Sequence, residues 1–186
     1  TARHSLNVAF YCELIAKKLD LNEALTKTIR NAGLLHDIGK VGIPDSILLK
    51  PGPLTPEEWM IMKTHAKLGR DAIEHAEFDA ARPVEFLVLA KEIAHWHHEK
   101  WDGSGYPDGL AGNDIPVSAR LMALADVFDA LTSRRPYKAA WTNEEAFATL
   151  DRLAGQTLDI SCVAALRARQ AEVEAIQARF GEDSLG

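Results

Sequence analysis

The sequence predicts an all-α protein, a compact bundle of about seven helices interrupted by two long loops. Strand-like alternation of apolar and polar residues is nearly absent, whereas apolar residues recur at helical spacing through most of the chain. Ala, Leu, Glu and Lys, which favour helices, dominate the segments between clusters of Gly and Pro. The chain has 186 residues, 47% of them hydrophobic, which is enough to bury one core. We therefore expect residues 1–186 to form a single domain.

Capping residues define where several of the helices begin. Thr55 and Glu58 form a capping box with Pro56 at the first helical position, which predicts a helix that continues through His65. A second capping box begins at Thr142, and Asn22 caps the helix that runs to Leu35. Apolar periodicity places the other helices over residues 5–19, 22–35, 84–98, 117–134, 142–150 and 159–180.

Two irregular segments separate these helices, residues 39–56 and 101–116. The first contains three Gly and four Pro, and the second is rich in Gly. Long loops are uncommon inside compact domains and are usually functional or disordered. Aromatic and aliphatic residues in the second segment, such as Trp101 and Tyr106, argue against disorder. We expect both loops to be functional.

The composition excludes several classes of protein. With 21 Lys+Arg against 27 Asp+Glu, the formal net charge is −6, which argues against a general binder of nucleic-acid polymers. No apolar run approaches the about 20 residues of a membrane span. Cys12 and Cys162 form no CxxC motif, so we expect neither a disulfide scaffold nor a thiolate zinc site, and a reducing cytoplasm as the location. Because the chain begins at Thr1 without Met, we expect it to be the C-terminal part of a longer regulatory protein.

Histidine and aspartate residues at the predicted helix ends are the candidates for chemistry. A single His-Asp pair such as His36-Asp37 is commonly a solvated helix end, but Asp126 lies in a strongly apolar helix, where a buried charge needs a partner or a metal. Taken together, the candidates favour a metal site over independent core histidines. They are His4, His36, Asp37, His65, His97, His98 and Asp126. Imidazole and carboxylate without thiolate suit iron, manganese, zinc or nickel.

These candidates are more numerous than one ion uses, so we expect two ions. Two ions about 3.5–4 Å apart that share a carboxylate are typical of phosphoester cleavage. Lys40, Arg135 and Lys138 suit phosphate binding, although the last two also fit an ordinary basic helix end, as does Arg134. We expect His75 on the surface, and structural or orienting roles for His95 and Glu99.

The ordered set of motifs resembles the HD-GYP subgroup of the HD superfamily of metal-dependent phosphohydrolases. The resemblance covers most of the chain. It rests on His36-Asp37-Ile38-Gly39-Lys40, His97-His98-Glu99, Asp102-Gly103-Ser104-Gly105-Tyr106-Pro107, the segment around Asp126, and Arg135-Pro136-Tyr137-Lys138.

This resemblance implies a bacterial signalling enzyme that hydrolyses cyclic di-GMP to pGpG and, in some members, on to GMP. A hydroxide between two divalent transition-metal ions would attack phosphorus, with iron or manganese favoured over nickel or zinc. The resemblance assigns metal-ligand roles to His4, His36, Asp37, His65, His97, His98 and Asp126. Asp37 would be the bridging carboxylate, while Lys40, Arg135 and Lys138 would hold phosphates.

The resemblance also bears on the loop, on the number of ions and on proton transfer. The Gly105-Tyr106-Pro107 loop would shape the substrate site and contact GGDEF-type diguanylate cyclases. Family members with three metals carry a Glu four residues before the first ligand His, a position that precedes Thr1, so we expect two ions. Lys40, or Asp129 through a water molecule, is the candidate donor of a proton to the leaving oxygen.

Two other functions remain open at this level. One is a hydrolase of a different cyclic dinucleotide or of a nucleoside polyphosphate. The other is a sensor module that binds cyclic di-GMP or pGpG with little turnover. An N-terminal sensor or receiver domain and a homodimer are further expectations from the resemblance.

Overall fold

The computed structural model describes residues 2–80, 84–134 and 138–180. The described residues contain no β-strand, although an isolated bridge joins Ala154 and Leu158, so the prediction of an all-α fold is confirmed. The helices are α1 (Ala2–Lys18), α2 (Glu23–Gly33), α3 (Asp45–Leu48), α4 (Pro56–Lys63), α5 (His65–Asp79), α6 (Glu85–Trp96), α7 (Val117–Thr132), α8 (Asn143–Leu153), α9 (Ile160–Arg167) and α10 (Gln170–Arg179). Short 3₁₀ segments span Ile38–Gly42 and Gly112–Asp114.

The predicted caps are present at the helix starts. The Asn22 side chain accepts a hydrogen bond from the Leu25 backbone N–H at 2.8 Å, at the start of α2. Both predicted capping boxes, which begin at Thr55 and at Thr142, are complete, with the side chain of each N3 glutamate bonded back to the cap backbone. These bonds satisfy N–H groups that have no partner within the helix, which explains why local sequence located the starts well.

The prediction of one helix that continues through His65 is wrong, because the chain divides into two helices at Thr64. The Thr64 hydroxyl and backbone N–H both donate to the Ile61 carbonyl oxygen, at 2.6 and 3.0 Å, which closes a tight turn. A new helix follows, since the N–H of Leu68 donates to the Thr64 carbonyl oxygen at 2.9 Å. His65 is therefore the first residue of α5 and not a mid-helix residue.

The helix predicted over residues 159–180 is also divided, into α9 and α10. Arg169 leaves the helical region, with φ −120° and ψ 36°, and α10 turns to pack on α1. The Phe180 ring stacks on Phe10 of α1 at a centroid distance of 5.2 Å. Periodicity did not reveal the break because apolar residues continue at helical spacing on both sides of it, with Leu166 and Val173 both buried.

Smaller differences concern helix ends. Helix α2 ends at Gly33 and α7 at Thr132, each two residues before its predicted end, and α3 forms inside the first predicted loop.

Among the described residues, no helix has the combination of length and apolar character that crossing a membrane requires.

The core lies between α1, α2, α6 and α7, with α8 and α9 covering one side. Tyr11 of α1 meets Phe128 of α7 edge to face, at a centroid distance of 5.2 Å. Cys12 and Cys162 are buried free thiols, and burial raises the pKa of both. Helix α1 packs against α2 and α7, and α6 packs against α2, α5 and α7. This packing places the ends of these helices around one point.

Gly39 allows a close backbone approach that positions the site. A Cβ atom at Gly39 would lie 1.8 Å from the His65 carbonyl oxygen and 2.4 Å from the Gly69 nitrogen. Only glycine permits the 3₁₀ segment to pack backbone to backbone against the start of α5. This contact fixes Asp37, which precedes the segment, relative to His65.

We expect Gly39→Ala to lower the free energy of unfolding by about 3 kcal/mol or more, because the added methyl group overlaps backbone atoms that have no room to move. Urea unfolding of both proteins measures the difference. Gly33→Ala is the matched control, since its Cβ atom would meet nothing closer than the Met122 sulfur at 3.7 Å. Equal stability of Gly39→Ala and the unmodified protein would show that this close approach is not a constraint.

Candidate metal centre

All seven predicted ligand residues lie around one point. His4 comes from α1, His36 and Asp37 from the turn after α2, His65 from the start of α5, His97 and His98 from the end of α6, and Asp126 from α7. They form two groups in which the candidate ligand atoms lie within 4.8 Å of one another.

The first group, here the Asp37 cluster, consists of Asp37, His65, His97 and His98. The Nε2 atoms of His65 and His97 each lie 3.5 Å from Asp37 Oδ1. His98 Nε2 lies 3.1 Å from His65 Nε2. Three ring nitrogens and one carboxylate oxygen therefore face the same small volume.

The second group, here the Asp126 cluster, consists of His4, His36 and Asp126. His4 Nε2 lies 3.2 Å from Asp126 Oδ1, and His36 Nε2 lies 4.0 Å from the same oxygen. Asp37 connects the two clusters, because its Oδ2 lies 3.3 Å from His36 Nε2 while its Oδ1 faces His65 and His97. This is the arrangement that a bridging carboxylate requires.

Backbone carbonyl groups set the orientation of three of the rings. The Nδ1 atoms of His36, His65 and His97 donate to the carbonyl oxygens of Gly33, Met62 and Ile93 at 2.8, 2.7 and 2.8 Å. A carbonyl oxygen only accepts, so each Nδ1 carries a proton, and in a neutral ring the lone pair is then on Nε2. A neutral imidazole held in this way through its other nitrogen is the usual form of a metal-ligating histidine.

Several buried atoms at this point have no hydrogen-bond partner. Among the described residues they include His36 Nε2, His97 Nε2 and Asp37 Oδ1. A buried polar atom without a partner costs about 1–3 kcal/mol, so three of them at one place need an explanation. Divalent cations in the two clusters would satisfy all three atoms, and nitrogen and oxygen donors without sulfur suit a transition metal. The residues present therefore fit a metal site.

The electrostatics of the site favour ionised carboxylates. Burial acts to raise the pKa of Asp37, but the imidazoles of His36, His65 and His97 around the carboxylate outweigh burial and hold the pKa well below its usual range. Burial also opposes ionisation of Asp126, but the hydrogen bond from His4 and neighbouring imidazoles lower its pKa to about 2. Burial lowers the pKa of His98 to about 2, which keeps that ring neutral.

Asp129 is a functional candidate whose role the sequence analysis missed. Its Oδ2 accepts a hydrogen bond from His4 Nδ1 at 2.6 Å, and its Oδ1 accepts from Asn7 Nδ2 at 2.9 Å and Ser133 Oγ at 3.1 Å. These contacts fit a buried residue that orients His4 rather than one that passes a proton through water. The only sequence signal was a second aspartate, one helical turn after Asp126 in an apolar helix.

The Gly105-Tyr106-Pro107 loop lies against the Asp37 cluster. The Tyr106 ring stacks on His98 at a centroid distance of 4.8 Å and an interplanar angle of 19°. Buried Glu99 organises the loop, since its carboxylate accepts hydrogen bonds from three consecutive backbone N–H groups, those of residues 108–110, at 2.7, 3.1 and 3.1 Å. Gly105 is required because a Cβ atom there would lie 2.4 Å from the Lys100 nitrogen.

The predicted cations lie in different places. Lys40 Nζ lies 2.7 Å from Asp37 Oδ2, next to the site. Lys138 Nζ lies 4.3 Å from the centroid of the Trp141 ring. Arg135 lies outside the described residues.

His75 and His95 are the two histidines outside the clusters. His75 is exposed on α5, as predicted. His95 is buried, and its Nε2 lies 3.0 Å from Asp108 Oδ2 in the loop. The prediction of a structural role for His95 agrees with this contact.

A cavity of about 1280 Å³ opens beside the clusters. His4, Asp37, Lys40 and Asp126 line one end of it. Beyond them the lining continues with Arg134 and residues of α8 and α10. The cavity gives a substrate access to both carboxylates.

Comparisons with known proteins agree with this geometry. A "probable cyclic di-GMP phosphodiesterase" from Vibrio cholerae is 46% identical over 191 residues, which cover 98% of this chain and 43% of that protein. A "3'3'-cGAMP-specific phosphodiesterase 2" from the same organism is 50% identical over 145 residues, which cover 78% of this chain and 27% of that protein. The chain thus spans less than half the length of these relatives.

A solved structure described as an HDG"Y"P protein from Bdellovibrio bacteriovorus shares the fold. Its TM-score is 0.69 at 21% sequence identity, over 91% of this chain and 52% of that one. The family model of the HD domain matches residues 1–162. This match covers both clusters and the Gly105-Tyr106-Pro107 loop, and the chain therefore belongs to the HD domain family, in its HD-GYP group.

Proposed function

We propose that this domain is a metal-dependent phosphodiesterase that hydrolyses cyclic di-GMP to pGpG. The observation that carries the proposal is that the two oxygens of Asp37 face two clusters of imidazoles whose ring nitrogens are directed at the same point. Relatives named as cyclic di-GMP phosphodiesterases, one of them 46% identical over 98% of this chain, support the choice of substrate.

The proposed ligand sets follow the two clusters. Asp37 would be shared, with His65, His97 and His98 completing one site, and His4, His36 and Asp126 completing the other. Iron or manganese is favoured, while nickel and zinc also suit these donors. Ions bound there would supply a water molecule of lowered pKa and neutralise charge on the phosphate oxygens.

The chain's own residues would bind and orient the substrate. The Lys40 ammonium group is held by Asp37 and is 41% exposed on the cavity side, where it would bind a phosphate oxygen and donate a proton to the leaving oxygen. Arg135 and Lys138 would hold the phosphates from the segment after α7. Tyr106, stacked on His98, would keep that ring in place and bound the substrate site on the loop side.

A second candidate substrate is 3'3'-cGAMP. The relative that is specific for it shares 50% identity over 78% of this chain. Both substrates are cyclic dinucleotides with the same phosphodiester chemistry, so the proposed reaction is the same for either. Initial rates on both compounds at equal concentration discriminate between them.

Asp37→Ala should abolish binding of both ions, because Asp37 alone faces both clusters. We expect hydrolysis of cyclic di-GMP to fall by more than the about 10- to 100-fold that loss of an outer partner of a metal ligand costs. Metal analysis and product chromatography on one sample measure both effects. Asp151→Ala, which removes an exposed carboxylate of α8, should retain both ions and activity. Retained hydrolysis in Asp37→Ala would exclude Asp37 as the shared ligand.

Metal binding should release about one proton from His4 at pH 7.5. Hydrogen bonds to Asp126 and then Asp129 raise the pKa of His4 to about 9 in the metal-free protein, and a ligand imidazole must be neutral. Affinity at the Asp126 cluster should therefore fall by up to about tenfold for each unit by which the pH is lowered below 9. Calorimetric titration with Mn²⁺ in two buffers of different ionisation enthalpy measures the proton count.

The same pKa has a consequence for the metal-free fold. Protonated His4 stabilises the folded state fully below its ordinary pKa of 6.5, and this contribution is lost as the pH rises through about 9. A titration with Mn²⁺ that releases no proton, together with pH-independent affinity, would contradict the assignment of His4 as a ligand.

Asp129→Asn should weaken the binding of one ion and leave the binding of the other unchanged. Loss of the charge that orients His4 should lower affinity at the Asp126 cluster about 10- to 100-fold, while the Asp37 cluster keeps its ion. Metal content at limiting Mn²⁺ and thermal unfolding give the two readouts. Ser133→Ala, which removes only the 3.1 Å bond to Asp129, should have a smaller effect. Equal loss of both ions would indicate a structural role for Asp129 instead.

A further inference from the structure

The cavity beside the metal centre extends well beyond the space that one phosphodiester group needs. Its volume of about 1280 Å³ exceeds the about 300–1,000 Å³ of sites that enclose a drug-sized ligand. Its lining includes Asp37 and Asp126 of the two clusters, and also Trp141, Asn143 and Gln177, which belong to neither cluster. The part of the cavity that these three residues line, here the far end, has room for another part of the same substrate.

Trp141 presents an aromatic ring at a fixed place in this far end. Its backbone N–H donates to the Leu131 carbonyl oxygen at 3.1 Å, which ties it to α7. Leu131 follows Asp126 by five residues on that helix, a rise of about 7.5 Å. The half-buried Trp141 ring lines the same cavity as Asp126, so it can meet the base of a nucleotide whose phosphate lies at the clusters.

Asn143 and Gln177 form a reciprocal amide pair beside Trp141. Asn143 Nδ2 donates to Gln177 Oε1 at 2.9 Å, and Gln177 Nε2 donates to Asn143 Oδ1 at 2.8 Å. Each amide has a second N–H and a second oxygen lone pair beyond those used in the pair. Both side chains line the cavity, so these groups can meet the edge of a base, which carries donors and acceptors side by side.

The Tyr11 hydroxyl is a second, independent observation in the same place. Tyr11 is completely buried at the cavity floor, and its hydroxyl has no hydrogen-bond partner at the geometry seen, although Gln177 and Thr132 are its polar neighbours. An unpaired buried hydroxyl is costly to retain. It provides an alternative partner for Gln177. Opening the amide pair breaks its two hydrogen bonds, of which Gln177 can regain one with Tyr11 while Asn143 bonds to a ligand.

We propose that Tyr11, Trp141, Asn143 and Gln177, here the base subsite, bind one purine base of the cyclic dinucleotide and determine which cyclic dinucleotide is cleaved. The base stacks on Trp141, and its polar edge bonds to Asn143 while Gln177 turns to Tyr11. This inference rests on the proposed phosphodiesterase function, which it extends from the phosphate to the base.

The test compares cyclic di-GMP with bis(p-nitrophenyl) phosphate, a phosphodiester that carries no base. Trp141→Ala should lower kcat/KM for cyclic di-GMP about 10-fold, mainly through KM, since loss of one base–aromatic stack typically costs about 5- to 150-fold. The loss on bis(p-nitrophenyl) phosphate should be several-fold smaller. This comparison also distinguishes loss of base stacking from displacement of Lys138, whose ammonium group lies over the Trp141 ring. Loss of a phosphate-binding contact would affect both compounds alike.

Two further variants test the polar part of the base subsite. Gln177→Met should raise KM for cyclic di-GMP and bring the ratio of kcat/KM for cyclic di-GMP and 3'3'-cGAMP closer to one. Tyr11→Phe should raise KM without lowering Tm, because within residues 2–80, 84–134 and 138–180 the hydroxyl it removes makes no hydrogen bond of good geometry, although Gln177 and Thr132 lie near it. Trp59→Ala and Gln170→Met are matched controls at exposed positions outside the cavity, and should change neither KM nor selectivity.

Equilibrium binding of cyclic di-GMP to the same variants separates the two proposals. If the unmodified protein binds cyclic di-GMP without cleaving it and Trp141→Ala weakens binding, the base subsite stands and the hydrolytic function fails. If hydrolysis proceeds and the variants leave both KM and Kd unchanged, the base subsite is overturned and the function stands. Absence of both binding and hydrolysis in the unmodified protein would overturn both proposals.

Discussion

The convergence of imidazole nitrogens on the Asp37 carboxylate is the interaction on which the rest of the structure depends. His65 and His97 approach Oδ1, and His36 approaches Oδ2, with two of these rings having no other partner for Nε2. Lone pairs directed at one point repel each other and lack hydration, so the arrangement is costly by itself. It is stable because several elements of the fold hold each ring in place and because, as we propose, cations occupy the site.

The surrounding elements hold each ring from behind. The Nδ1 atoms are fixed by backbone carbonyl oxygens near helix ends, so the ends of α2, α4 and α6 supply the orientation without further side chains. Asp129 orients His4 in the same way, with a charged carboxylate in place of a backbone carbonyl group. Gly39 and Gly105 then let backbone segments approach closely enough to keep Asp37 and the Tyr106 loop in register with these helix ends.

Local sequence was sufficient for the all-α fold and the caps at Asn22, Thr55 and Thr142, and motifs with ligand chemistry named the seven residues that the fold divides into two clusters. Those features depend on residues close in the chain or on ligand chemistry. The breaks at Thr64 and Arg169 were missed because apolar periodicity continues across them, and tertiary packing decides where the chain turns.

Residues that act across long sequence separations were beyond the sequence analysis. Asp129 bonds to a residue 125 positions away, and the Asn143–Gln177 pair joins α8 to α10 across 34 positions. Single residues of these types carry no distinctive local pattern. The cavity that these residues line forms only when α1, α7, α8 and α10 pack together.

The central claim is that Asp37 is shared between two ions, one in each cluster. Crystals of the protein grown with Mn²⁺, measured on both sides of the manganese absorption edge, test it directly. The account predicts two anomalous peaks about 3.5–4 Å apart, with one Asp37 oxygen at each. A single peak, or two peaks of which one has no Asp37 oxygen as a ligand, would contradict it.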